Sequence, residues 1–261
     1  MENPLYLTDS YLTSCKAKVL EVKEKEGNSQ TSKDGTAQAS KEGNDQGGIG
    51  KFIFLDQTVF YPRGGGQPCD TGKLVSSKGE FLVIFVTKQE GKIAHETSGE
   101  CTLQVGDEVE CIIDWSRRYK LMRMHTAGHI LAAIMYSRKG ILITGNQLDV
   151  DKSRFDFSME NFDKAAFQSL IDEANQQISR NLSVEVSSLP REEAMKVPGA
   201  VKLAVALPPE IKTLRMVKIG DVDYQADGGT HVKNTSEIGK LVFLGADNKG
   251  KNNRRIYYTL E

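Results

Sequence analysis

The pattern of apolar residues changes period near residue 115, and that change limits what the chain can become. Before it, apolar residues alternate or run in short blocks at 16–22, 52–55, 81–86 and 108–114, with turns such as Val105-Gly106-Asp107 between them. Such segments read as the short strands of a small barrel. The block at 81–86 is apolar throughout, so it is expected to be buried on both faces. After the change, residues 117–138 hold no proline and a single glycine, Gly128, while Leu121, Met124, Ile130, Leu131 and Ile134 supply apolar faces for a helix. Ser116 is expected to cap its start. A second amphipathic helix is expected from about Asn161 to Ser179, with Phe167, Leu170, Ile171, Ala174 and Ile178 as its stripe. A short helix should follow Pro190. Strands return at 183–189, 214–219, 241–244 and 255–260. The chain therefore reads as α+β, with a β-barrel domain over 1–115 and an α+β domain over 116–261.

Residues 23–50 stand apart. They are nearly all Lys, Glu, Gly, Ser, Gln, Asn, Asp and Thr. Such a stretch cannot bury enough apolar surface to offset its ordering entropy, so it is expected to be a disordered insertion between two strands. Over the whole chain, 39% hydrophobic and 26% charged residues are ordinary for a globular protein. A net charge of −1 excludes a uniformly basic nucleic-acid coat but leaves room for a local basic patch. There is no apolar run long enough to span a bilayer, and Met1-Glu2-Asn3-Pro4 lacks the start of a signal peptide. A cytoplasmic protein without membrane contact is expected, and no obligate protein partner is readable. Cys15, Cys69, Cys101 and Cys111 are scattered and read as free thiols.

Chemistry concentrates in a few stretches. His125-Thr126-Ala127-Gly128-His129 sets two imidazoles four residues apart, on one face of the expected helix. Asp227-Gly228-Gly229-Thr230-His231 adds a carboxylate and a third imidazole around a Gly-Gly turn. Only four histidines occur, and three lie in these two motifs. Three imidazoles and a carboxylate suit one zinc ion, although imidazole also serves iron, copper or nickel. No glutamate follows His125, so the usual base of an H-E-x-x-H protease is missing. A third stretch, Tyr61-Pro62-Arg63-Gly64-Gly65-Gly66-Gln67-Pro68, is either a tight turn or a loop whose bare backbone approaches a ligand. Arg117, Arg118, Lys120 and Arg123 crowd the start of the histidine helix, as a solvated face or as phosphate contacts.

Taken in this order, the motifs resemble the editing domain of alanyl-tRNA synthetases and the free-standing alanyl-tRNA editing proteins of the AlaX family. Further matching text is Phe60-Tyr61-Pro62 with Gly65-Gly66-Gln67, Asp70-x-Gly72, Asp114-Trp115-x-Arg117-Arg118, Arg154-Phe155-Asp156-Phe157 and Asn234-Thr235-x-Glu237-Ile238-Gly239. The resemblance covers the first strand and everything from about residue 50 onward.

The resemblance implies a small N-terminal barrel followed by an editing domain of the threonyl/alanyl-tRNA synthetase second-additional-domain type. It implies a trans-editing, zinc-dependent deacylase acting on mischarged tRNA(Ala), chiefly seryl-tRNA(Ala), with glycyl-tRNA(Ala) as a second substrate. One ion would be held by His125, His129, Asp227 and His231, with Asp227 and Thr126 as candidate catalytic groups. Gly64, Gly65, Gly66, Gln67, Thr144, Asn146, Gln147 and Thr230 are the candidates for substrate contact. The cluster Arg117, Arg118, Lys120 and Arg123 would meet tRNA phosphates. Most of the family carries cysteine where Asp227 stands, so Asp227 is either a harder fourth ligand or a group that handles the attacking water. Gly128 also stands where many relatives have a bulkier residue, which would widen the pocket. Two other readings are a non-catalytic tRNA-binding module with a structural metal and a deacylase of another aminoacyl ester.

Overall fold

The computed structural model of the chain describes residues 3–25, 50–158, 164–200 and 211–261. They divide into two compact units. The first runs to Leu5, then takes Leu12–Pro62 and Cys69–Asp114; the second takes Tyr6–Tyr11, Arg63–Pro68 and Trp115–Glu261. The expected insertion lies mostly outside the described residues, and so does the expected helix start at Asn161.

The first unit is all β: β1 (Asn3–Pro4), β2 (Ser14–Glu24), β3 (Lys51–Leu55), β4 (Gln57–Thr58), β5 (Gly72–Ser76), β6 (Gly79–Gln89), β7 (Lys92–Thr97) and β8 (Glu108–Ile113). Six of these strands close a barrel in the order β2-β3-β7-β6-β5-β8. Closure leaves no edge strand unpaired. Lys23 and Glu24, expected in the insertion, continue β2 and pair with Phe52 and Lys51. The apolar block in β6 corrects an expectation. Phe81, Val83 and Val86 are buried, but Leu82 and Ile84 are 59% and 48% exposed. A strand of a small barrel has one interior face, so its side chains must alternate whatever their hydropathy. All four cysteines are free, and Cys15 lies opposite Cys111 across β2 and β8.

His95, on β7, is fully buried. Its Nδ1 is 2.9 Å from the Ile53 carbonyl oxygen, and its Nε2 is 2.8 Å from the Thr58 hydroxyl. Thr58 in turn accepts the Phe60 N–H at 3.0 Å. A neutral ring satisfies this chain, with Nδ1–H donating to Ile53 and Nε2 accepting from Thr58.

The second unit opens with α1 (Trp115–Lys139), β9 (Ile143–Gln147), β10 (Ser153–Ser158) and α2 (Lys164–Ile178). It continues with β11 (Val184–Pro190), α3 (Arg191–Ala194), β12 (Thr213–Ile219), β13 (Asp223–Ala226), β14 (Leu241–Asn248) and β15 (Asn253–Leu260). Two antiparallel sheets result, β14-β15-β10-β9 and β11-β12-β13. Between Leu121 and Met135 every residue of α1 is buried except the half-buried Arg123. A helix covered on all sides needs no single apolar stripe, which is why its polar residues are informative. The α2 stripe behaves as expected: Phe167, Ile171, Ala174 and Ile178 are buried, and the Phe167 ring stands 5.0 Å from that of Phe243.

Gly128 fixes how closely α1 approaches its sheet. A Cβ there would lie 2.8 Å from Phe155 Cζ on β10 and 2.9 Å from Tyr258 Oη on β15. The space a side chain would occupy is filled by these rings, so the glycine does not widen a pocket, contrary to the sequence expectation.

Two measurements follow. Glycine to alanine in a helix interior ordinarily gains roughly 0.5–1 kcal/mol. Gly128→Ala should instead lose about 1–3 kcal/mol by overpacking, read as a lower denaturant midpoint. For His95, burial pushes the imidazole down to about 4, against the help of the Ile53 carbonyl. An unfolded imidazole titrates near 6.5, so as the pH falls the unfolded chain binds its proton first. The contribution is complete above about pH 6.5 and is lost progressively toward pH 4, roughly 3 kcal/mol in all. Denaturation at pH 7 and pH 5 should show a smaller loss in His95→Gln than in the parent chain.

Candidate metal centre

His125 and His129 project from α1, and His231 follows the Gly228-Gly229 turn after β13. The three rings lie 4.4, 4.6 and 5.0 Å apart by centroid. Asp227 closes the group. Its Oδ1 is 3.5 Å from His125 Nε2 and 3.7 Å from His129 Nε2, and its Oδ2 is 3.0 Å from His231 Nε2. Four tetrahedral bonds of ~2 Å put ligand atoms about 3.3 Å from one another. One ligand atom from each of the four residues lies within 4.8 Å of the others. The donor set therefore fits a single small cation.

The second nitrogen of each ring strengthens that fit. His125 Nδ1 is 2.9 Å from Gln67 Oε1. His129 Nδ1 is 3.0 Å from Asp223 Oδ2. His231 Nδ1 is 3.1 Å from the Thr126 hydroxyl. An amide oxygen and a carboxylate can only accept, and the Thr126 proton already goes to the Met122 carbonyl at 2.9 Å. Each ring therefore keeps a proton on Nδ1, which leaves Nε2 as the nitrogen that faces the cluster and would bind a metal.

Local chain chemistry holds the parts in register. A Cβ at Gly229 would collide with the His125 ring. The Thr230 N–H donates to Gln67 Oε1 at 3.1 Å, and the Val232 N–H to the Thr126 hydroxyl at 3.3 Å. The Lys233 N–H donates to Tyr11 Oη at 2.9 Å, and that hydroxyl donates to Glu237 at 2.6 Å. The His231 segment is thus fastened at successive amides. Asp227 Oδ2 accepts the Gly229 N–H, and the Arg215 guanidinium lies 3.8 Å from the same oxygen.

Charge inside the cluster is unevenly spread. Burial drives His125 well below the ordinary imidazole value and His231 down to about 4, although Asp227 opposes both shifts. Burial also presses on His129, but Asp223 and Asp227 outweigh it and raise that ring to about 9. Burial pushes the Asp227 carboxyl up, yet the three histidines hold it well below the usual carboxylate range. Without a metal ion the positive charge sits on His129. A divalent cation at the same place would displace that proton.

Other expected site residues fall differently. Gly65 and Gly66 take φ of +59° and +85°, and Asn146 ties the loop down by donating to the Gly65 carbonyl at 2.9 Å. Gln67 is buried, with its amide nitrogen donating to Thr230 Oγ1 at 2.9 Å. Gly64 forms an isolated bridge with Gln67. Thr144 and Gln147 are exposed and engaged elsewhere, with Asn253 and Arg154. Arg118 is fully buried and donates to the Ser10 carbonyl at 2.8 Å. Arg123 donates twice to the Ile238 carbonyl, at 2.9 and 2.6 Å. These two guanidiniums hold backbone; at the same helix end Arg117 is half-buried and Lys120 is exposed. Asp223 and Gln225 escaped the sequence reading. Their signal was present, since polar residues at 223, 225 and 227 alternate along a strand toward the Gly-Gly turn.

Over its whole length the chain is 41% identical to all of the alanyl-tRNA editing protein AlaX-M of Saccharolobus solfataricus. The chain belongs to the AlaX-M family. It is also 48% identical to AlaX-M of Methanosarcina barkeri, over 80% of this chain and 89% of the relative. An alanine–tRNA ligase of Pyrobaculum aerophilum is 36% identical over 91% of this chain, which there spans 24% of the ligase. Residues 214–257 match the threonyl and alanyl tRNA synthetase second additional domain, and residues 7–117 match class II (A) tRNA synthetases.

Gly229→Ala tests the packing of the centre. The added methyl should displace the His125 ring and abolish stoichiometric metal uptake, read by elemental analysis after dialysis. Far-ultraviolet circular dichroism should stay close to that of the parent chain.

Proposed function

We propose that this chain is a metal-dependent deacylase that clears wrongly attached amino acids from tRNA(Ala), with seryl-tRNA(Ala) as its chief substrate and glycyl-tRNA(Ala) as a second. The observation that carries this reading is the convergence of three imidazole Nε2 atoms and one carboxylate, with every Nδ1 held by an acceptor. The printed names of the relatives, alanyl-tRNA editing proteins, support the substrate class. Zinc is the ion best matched to this nitrogen-rich set.

Bound zinc would supply Lewis acidity, polarising the ester carbonyl and making water more acidic. The chain's own groups do the rest. Asp227 is the most exposed of the four, with 18% of its side-chain surface open against 1–7% for the histidines. It is the corner that ester and water can reach. Its carboxylate stays ionised and orients the attacking water. Thr126 acts through His231 rather than on substrate, since its hydroxyl is committed to Met122, His231 and Val232.

Sparing alanyl-tRNA requires a site that reads one hydroxyl. A site built to bond a hydroxyl rejects the analogue lacking it by roughly 10⁴–10⁵. Thr230 is the candidate best suited. It is fully buried beside the cluster and accepts from Gln67, and among the described residues no acceptor takes its proton. In this reading the Gly64–Gln67 loop would receive the terminal adenosine, and Arg117 and Lys120 would meet phosphates.

One observation favours a second reading. The Asp227 oxygens lie within 3.0–3.7 Å of all three Nε2 atoms, so four protein ligands could close the sphere as in a structural site. The chain would then be a tRNA-binding module. Deacylation of seryl-, glycyl- and alanyl-tRNA(Ala), run side by side, separates the two. The deacylase reading expects rapid release of serine, little release of alanine, and loss of both activity and metal in His125→Ala. A metal-loaded parent chain that releases none of the three would overturn the deacylase reading for tRNA(Ala).

A further inference from the structure

The three ligand rings do not share one kind of support. His125 donates to a neutral amide oxygen on Gln67, and His231 to the neutral hydroxyl of Thr126. His129 alone among them donates to a carboxylate, Asp223. That carboxylate has no exposed side-chain surface. It stands on β13, where Asp223 pairs with Ile219 of β12, so the backbone holds it in a fixed register. The Gln225 side-chain amide lies 2.8 Å from the same His129 nitrogen and confines the ring further.

Resting on the metal reading above, we propose that Asp223 is a positioning residue for His129, forming a carboxylate–imidazole–metal relay that sets how tightly the centre holds its ion. A bond to an ionised acceptor is roughly twice as strong as one between neutral groups. Drawing the Nδ1 proton toward a carboxylate fixes the ring's tautomer and raises the donor strength of the opposite nitrogen. A buried carboxylate is costly to keep unless it is paired, so an anion here must serve what it touches.

Asp223→Asn is the informative change. It keeps the shape and one acceptor oxygen and removes the charge. Zinc affinity, measured at fixed pH by competition with a chromophoric chelator, should weaken by about 10–100-fold. The ligand-field spectrum of the cobalt-loaded variant should change. Asp223→Glu, which retains the charge, should recover part of the affinity. An Asp223→Asn protein that binds zinc within about threefold of the parent, with an unaltered cobalt spectrum, overturns the relay. A measurement on the parent chain covers the case in which the variant does not fold. In the zinc-loaded protein the His129 Nδ1 proton should resonate well downfield of those of His125 and His231, and equal shifts would also overturn it. A parent chain that takes up no zinc overturns the metal reading and the relay together. Tight zinc binding that depends on Asp223, with no deacylation, sustains the relay and removes only the assigned activity.

Discussion

Three imidazoles converge on one point only when each ring's other nitrogen is held elsewhere. In this chain the holding is done by Gln67, Asp223 and Thr126, drawn from a glycine-rich loop, a strand and the histidine helix. The rest of the second unit is arranged so that these three acceptors stay where they are. Gly128 lets the helix sit close on Phe155 and Tyr258, and Gly229 lets a loop backbone lie against the His125 ring. Neither glycine touches an ion. Both set distances that the ion would depend on.

Much of this was readable in the residues. The apolar pattern on either side of residue 115 gave four of the six barrel strands and the long helix, because periodicity reports which faces are covered. The four-residue interval of His125 and His129 and the turn before His231 gave the cluster, because spacing on a helix and the freedom of glycine are local properties. The strands β1, β4, β5, β7, β9, β10 and β13 were not read, being short or polar and defined by their pairing rather than their own pattern. Burial was also misjudged where closure decides it, as at Leu82 and Ile84. Hydropathy is a property of the residue, whereas an interior face is a property of the barrel.

The supporting residues were the hardest to read, for a physical reason. Asp223 and Gln67 work through partners far away in the chain, and nothing local distinguishes a carboxylate that steadies an imidazole from one that meets water. The same limit applied to the helix cations. Arg118 and Arg123 looked like their neighbours Arg117 and Lys120, yet they hold the carbonyls of Ser10 and Ile238. Charge can be counted from sequence, but its availability cannot.

The second unit draws on three separate stretches of chain: Tyr6–Tyr11, Arg63–Pro68 and everything from Trp115 onward. The shorter two bring Ser10, Tyr11 and Gln67, the partners of Arg118, the Lys233 amide and His125. A cut at the change of apolar period would therefore produce a fragment that keeps every ligand and loses Gln67, which holds His125, together with the partners of Arg118 and the Lys233 amide. The centre is interwoven with the polypeptide that precedes it, so its parts would have to be inherited together.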